Sequence, residues 1–224
     1  MASTLETVAF DPVIFRKELT EFDGLLKSKA NLSERDDILP FFKERKHLTA
    51  YIGTLYLDIA VATEVSYEFD ISGSFKADVL LGSKTANQFC IVEFEPGEED
   101  AIFKKQDRKY PEWSSRFEHA FGQIVDWFCA LEDAANAKDF RDTFGNGEIR
   151  FSSLLVMGRT TSLDDSKKRR LAWRTKKVLI DSNRVTCITF DQLYLALKEK
   201  YEFYASAAAI ESTTTAPGLA PPPS

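Results

Sequence analysis

Asp78 stands in the run ADVLLGS, and Glu93 and Glu95 follow it in QFCIVEFE. Residues of an extended strand alternate between its two faces, so Phe89, Ile91, Glu93 and Glu95 project to one side and Cys90, Val92 and Phe94 to the other. A hairpin joining the two runs brings Asp78 beside the end where the glutamates emerge. Like charges crowded to roughly 4 to 6 Å in partly dry surroundings raise at least one carboxyl pKa, which is unfavourable unless a cation is present. A divalent metal resolves the conflict. Mg²⁺, with Mn²⁺ as the alternative, takes oxygen ligands: one or two carboxylates, waters and a substrate phosphate. The same acids also read as solvent-facing side chains at a strand end, since an Asp followed at a distance by Glu-x-Glu is a common chance pattern.

The rest of the composition bounds this chemistry. The chain has 224 residues, 44% hydrophobic and 12% aromatic, enough for one well-buried core. No apolar run is long enough to span a bilayer, and the first residues lack a basic stretch leading into an apolar one. The expectation is a soluble cytoplasmic protein with no membrane partner. Cys90, Cys129 and Cys187 lie apart in apolar contexts and read as reduced core residues. A net charge of -6 argues against a generic polyanion binder, so any contact with nucleic acid has to be local. Residues 93–100 hold five acids and no base, whereas residues 164–184 hold eight Lys or Arg against three Asp, with Trp173 among them. That run reads either as a solvated helix face or as a phosphate-contacting stripe of Lys167, Lys168, Arg169, Arg170, Arg174 and Lys176 with an aromatic beside it.

The elements that must position these residues follow from periodicity. Asn31 or Ser33 is a cap candidate, and Pro40 leaves a first helix mainly from Pro40 to Tyr51. Residues 59–69 alternate strictly, with Val61, Thr63, Val65, Tyr67 and Phe69 on one face, which predicts a strand. ISGS and KTAN turn the chain on either side of the ADVLLGS strand, giving a three-strand antiparallel meander with QFCIVEFE. Phe117, Phe121, Ile124, Phe128 and Leu131 recur at helical spacing, and Ser114 or Ser115 is the cap candidate. EIRFSSLLVMG predicts a fourth strand, a basic helix runs from about Asp164 to Ile180, VTCITF is a strand, and a last helix opens at Asp191. The expected fold class is α/β, a mixed sheet flanked by helices. The division is an N-terminal extension (1–30), a core domain (31–204) and a disordered Pro, Ala and Thr-rich tail (205–224).

The path from ADVLL through CIVEFEPGEEDAIFKK to EWSSRFEHAFGQIVDWFCALED resembles the core of the Shedu immune nucleases. These form a bacterial anti-phage branch of the PD-(D/E)XK nuclease superfamily. The likeness covers about residues 40 to 200 and is most specific in VEFEPG and RFEHAFGQIVDWF. It implies a restriction-endonuclease-like fold and a Mg²⁺- or Mn²⁺-dependent endodeoxyribonuclease. Asp78 corresponds to the first acid of the superfamily motif and Glu93 to the second, both as metal ligands, with the Phe94 carbonyl as a further one. Glu95 stands where the usual lysine does, so it would act as an acceptor base or another ligand. A migrated cation is the other solution, with Lys76, Lys104 and Lys105 as candidates. Gln123 and Trp127 resemble a Gln-x-x-x-Tyr feature in which the glutamine reaches toward the active site; periodicity alone makes them polar and core contacts of a helix. Glu44 is a candidate for the additional acid many such nucleases place on the first helix, or an exposed residue of KERK. His119 reads as a helix-surface or supporting group, and His47 has less context still.

The expected partners are DNA, further copies of the chain in a homo-oligomer, and a separate regulatory partner. About forty residues precede the core, so sensing is expected from those residues, from self-assembly or from that partner. Two other readings remain: a catalytically inactive domain of this fold that binds nucleic acid or protein, and an ordinary α/β interaction module.

Overall fold

Period-two hydrophobic patterning builds the sheet. The computed structural model describes residues 4–56, 58–105, 110–145, 147–180 and 183–214, the last seven of these by backbone alone. The strands are β1 (Glu6–Thr7), β2 (Glu64–Ile71), β3 (Phe75–Ser83), β4 (Gln88–Phe94), β5 (Arg150–Val156), β6 (Leu179–Ile180) and β7 (Asn183–Ile188). They form a seven-stranded sheet in the order β1-β2-β3-β4-β5-β7-β6. β2, β3 and β4 are the antiparallel meander expected, while β4, β5 and β7 run parallel. At Gly82 an added Cβ would come within 2.2 Å of the Gln88 carbonyl, so only glycine lets β3 approach β4 this closely.

Helices cover both faces. One layer holds α1 (Pro12–Ser28), α2 (Leu39–Glu44), α3 (Lys46–Tyr51) and α7 (Phe190–Thr214); the other holds α4 (Ser115–Ala134), α5 (Lys138–Phe144) and α6 (Asp165–Lys177). Each layer has its own core. Phe15, Phe22, Phe42 and Leu48 pack with Val79, Val92 and Phe94 on the first face, and Phe117, Ile124 and Trp127 pack with Leu80, Ile91 and Leu155 on the second. The result is an α/β fold with a mixed sheet flanked by helices, consistent with a restriction-endonuclease-like architecture.

Four expectations are corrected. The segment before α2 is not an open approach to one helix: residues Glu34–Ile38 form a π-helical turn capped by Ser33, and the Pro40–Tyr51 helix is broken at Arg45. The strict alternation over 59–69 does not hold to its end. Val65 and Tyr67 face the first core but Phe69 and Ile71 face the second. Between them Glu68 has φ +49°, and the β2–β3 ladder passes from Tyr67–Val79 to Phe69–Ala77 without pairing Glu68 with Asp78. A left-handed, non-glycine residue therefore turns the strand over beside Asp78.

Residues 4–30 are built into the domain rather than appended. β1 pairs with β2, and Phe15 is packed among Tyr51 and Tyr201. Finally, α7 continues past Tyr204 to Thr214, because the Ala-rich run after it has high helix propensity. Residues 215–224 of the expected tail lie outside the described residues.

Arg159 fastens the first layer to the sheet. Its Nη2 donates to the Leu26 carbonyl at 2.8 Å and its Nη1 to the Lys29 carbonyl at 2.7 Å, while Nε and Nη2 pair with Asp191 at the start of α7. Arg159→Ala removes the ion pair of Asp191, which keeps only the Thr160 amide as donor among the described residues, and takes a donor from two carbonyls; it is expected to lower unfolding stability by about 2–4 kcal/mol. Urea denaturation, with an unchanged m-value and a lower midpoint, measures this.

Candidate active site

β3 and β4 register as Val79 with Val92, so the next residues along the ladder are Asp78 and Glu93. The Phe94 amide donates to Asp78 Oδ2 at 2.8 Å, and the Asp78 amide faces the Glu93 carboxylate. The two acids that hairpin geometry places together are thus neighbours. Glu93 is 8% exposed, and its Oε2 is buried with no hydrogen-bond partner among the described residues. A buried carboxylate oxygen without a donor is costly and calls for an explanation.

Glu95 follows the end of β4, its amide donating to the Val156 carbonyl at 3.0 Å. A fourth acid comes from far away in sequence. Leu32 and Gly97 exchange backbone hydrogen bonds, 3.3 Å one way and 2.9 Å the other, which fastens the segment before the π-helical turn to the loop after β4. A Cβ on Gly97 would meet Leu32 at 3.0 Å, so the close approach favours glycine. Glu34 is thereby carried to the cluster, where its charge acts on Asp78, Glu93 and Glu95. Glu44, the candidate from periodicity, is instead 75% exposed and pairs with Arg45. Sequence did hold one sign of Glu34: an acid in the first turn behind a Ser cap, just before the apolar run.

The electrostatics follow from this crowding. Burial pushes the Asp78 carboxyl up to about 7, against the Phe94 amide, and Glu34 and Glu68 add to the rise. Burial holds Glu93 well above the usual carboxylate range, reinforced by Asp78, Glu95 and Glu34. Glu95 is also raised to about 7 by burial and Glu34, with Arg116 opposing. Arg116 and Lys43 are among the cations that answer this charge. Arg116, two residues inside α4, has Nε 3.9 Å from Glu95 Oε2 and Nη1 3.5 Å from Glu98. Lys43 on α2 pairs with Glu68 at 2.7 Å and lowers Asp78. Ser114 sets Arg116 in place: its hydroxyl caps α4 by accepting from the Phe117 amide and donates to the Ala101 carbonyl.

Other candidates fall elsewhere. Lys104 pairs with Glu112 and Lys105 with Glu99, and Lys76 acts on Glu68. Gln123 is half-buried on α4, and Trp127 lies wholly in the second core. His119 is exposed on α4, and His47 accepts from the Asp11 amide at the cap of α1. On α6, Arg174 makes a two-pronged pair with Glu118 at 2.6 and 2.8 Å and lies 4.2 Å over the Phe121 ring. Arg170 donates to the Pro111 carbonyl, Lys167 to the Ser162 carbonyl, and Lys168 is near Asp165. Arg169 and Lys176 are exposed.

The cluster lies at the carboxyl ends of β4, β5 and β7, the edge of a parallel sheet where ligands commonly bind. Among the described residues no three His, Cys, Asp or Glu side chains are already gathered to hold a metal ion. The donor set still fits a hard cation. Mg²⁺ commonly takes only one or two protein carboxylates, and Glu93 has an oxygen to offer.

With Asp78 and Glu95 raised from 3.8 and 4.5 to about 7, the native state holds more protons than the unfolded one between those values. Stability of the metal-free protein is therefore expected to fall as pH rises from about 4 to about 7. Glu93→Gln should raise the melting temperature near pH 8, by roughly 2–4 °C for each kcal/mol of repulsion removed. Melting scans with and without a chelator, at about pH 5 and about pH 8, measure both effects.

Among the described residues no helix is long and apolar enough to cross a membrane. No curated protein matches the chain. Residues 31–194 match the family model of the Shedu protein SduA, C-terminal. This match runs from the segment that delivers Glu34 to the start of α7 and takes in every acid of the cluster, so the chain belongs to the Shedu family of anti-phage defence proteins.

Proposed function

We propose that the chain is a metal-dependent DNA endonuclease of the PD-(D/E)XK superfamily, hydrolysing phosphodiester bonds in a bacterial anti-phage defence system. The observation that carries this reading is the buried, unpartnered Glu93 Oε2 beside Asp78, in a cluster whose acids raise one another's pKa. Asp78, Glu93 and the Phe94 carbonyl would hold Mg²⁺ or Mn²⁺. When bound, such an ion supplies an activated water and offsets charge on the scissile phosphate.

The chain's own groups do the remaining work. Glu95, with its carboxyl raised to about 7, is matched to accept a proton from water near neutral pH, a role the superfamily usually supports with lysine. Arg116 orients that carboxylate and limits its rise. Gln123, two turns along α4 from Arg116, would hydrogen-bond the water or the phosphate. Lys167, Lys168, Arg169, Arg170 and Lys176 would guide the DNA backbone, with Arg174 bracing α6 from behind through Glu118. Family membership also favours a homo-oligomer, and control of cutting would come from the residues before the core, from self-assembly or from a separate partner.

Cleavage of plasmid, linear duplex and single-stranded DNA, with Mg²⁺, Mn²⁺ or chelator, tests the reading. Asp78→Ala and Glu93→Ala should each abolish metal-dependent cutting. Glu95→Gln should slow it by about 10²–10⁴-fold while calorimetric metal affinity stays within about tenfold. Undiminished cutting by both alanine variants, or neither metal binding nor cutting of any DNA form by the wild type, would replace this reading with an inactive binding domain of the same fold.

A further inference from the structure

Building on the DNA-processing reading above, we propose that the hollow between α6 and the segment leading into α4 is a stacking site for an unpaired nucleobase, with Arg169 and Arg170 on its phosphate. The hollow has a volume of about 430 Å³, and Tyr110, Trp113, Arg169, Arg170 and Trp173 are among its walls. Two of these rings are unusually open to water: Trp173 is 63% exposed and Tyr110 68%. An indole left mostly in water on a basic helix is a large apolar surface that the core does not cover. Trp173 lies one helical turn after Arg169, so ring and guanidinium share a face.

The cations are placed for an anion. Among the described residues no carboxylate lies within ion-pair distance of Arg169. Arg170 uses one donor on the Pro111 carbonyl at 2.6 Å and lies 5.3 Å over Trp113, which fixes its plane and leaves further N–H groups for a phosphate. The nearby acids are already matched. Glu118 is held by Arg174, and Glu112 by Lys104. Arg174 in turn lies 5.0 Å over Trp113, giving the hollow a rigid floor. A stack of Phe103, Trp113 and Phe117, with centroids 4.4 and 4.5 Å apart, backs that floor.

Every base has a π-face, so an exposed indole with guanidinium groups beside it suits single strands of any sequence. In the interior of a duplex both faces of each base are covered by neighbours. The hollow therefore selects bases that are out of the stack. It also adjoins the acidic cluster through the chain itself: Trp113 precedes the cap Ser114, and Arg116, beside Glu95, follows. Single-stranded DNA and RNA share this chemistry.

The test uses the full chain carrying Asp78→Ala, in chelator, so that neither cutting nor metal is needed. Oligothymidylate, oligouridylate and a DNA duplex of equal length are titrated against intrinsic tryptophan fluorescence. Oligothymidylate should quench the emission. Trp173→Ala should remove most of the quenching and weaken that binding about tenfold or more, with Trp173→Phe restoring most of the affinity and duplex binding changing little. Arg169→Ala should lower the salt slope by about one. Oligouridylate binding as tight as oligothymidylate assigns the site to single strands of either sugar, and weaker binding assigns it to DNA; both uphold the proposal. Oligothymidylate binding unchanged in Trp173→Ala, or equal losses for single strand and duplex, overturns it. Cleavage by the wild type is scored separately. Stacking without cleavage defeats the nuclease reading alone, and cleavage without stacking defeats this one alone.

Discussion

Carboxylates taken out of water beside one another are the constraint around which one end of this molecule is arranged. Asp78 and Glu93 stand next to the Val79–Val92 pair of the β3–β4 ladder, so the backbone brings them side by side. Glu95 and Glu34 then add to a site that already resists charge. Such a cluster persists only if the surroundings are rigid enough to hold it. Two separate cores, one on each face of the sheet, supply that rigidity. Arg116 and Lys43 offset part of the charge, yet each also serves an acid outside the central pair, Glu98 and Glu68 respectively. The arrangement stays short of positive charge, which is the condition under which a hard cation binds well.

What was legible in the sequence was local. The two-residue period of QFCIVEFE and the short turn before it place Glu93 near Asp78 without any knowledge of distant contacts. The helical spacing through Phe117, Phe121 and Ile124 likewise gives α4, its cap at Ser114 and its buried face. The arrival of Glu34 at the cluster was not legible, because it depends on the Leu32–Gly97 bridge between segments more than sixty positions apart. Glu44 looked the better acid only because a helix was expected from Pro40; the π-helical turn ahead of it moved the relevant acid ten positions earlier. Strict alternation failed at Glu68, where one left-handed residue exchanges the two faces of β2. The earliest residues lacked any strong motif, and their burial comes from tertiary packing of Phe15 and Phe22.

α6 shows why counting charge along a chain overstates a binding stripe. Arg174 is turned inward, onto Glu118 and three aromatic rings, and acts as a brace between α6 and α4. Arg170 is partly engaged in the same way. The outward face is smaller than the composition implied, but it combines exposed cations with an exposed indole. A net charge of -6 does not conflict with such a patch, since the nearby acids Glu112 and Glu118 are paired and screening confines each field to about 8–10 Å at physiological salt.

The glutamate at position 95 changes the balance of the whole cluster. A lysine there would neutralise one carboxylate internally; a glutamate instead removes a positive charge and adds a negative one. Arg116 returns part of that difference from a different element, at 3.9 Å, too far to neutralise Glu95 fully. The remaining deficit must be met by protons or by a cation from solution, and the raised values of Asp78 and Glu95 mark the proton solution. A metal held as proposed would displace those protons, so its affinity would rise with pH. The side chain at the end of β4 thus leaves the charge of the cluster to be balanced by the surrounding solution.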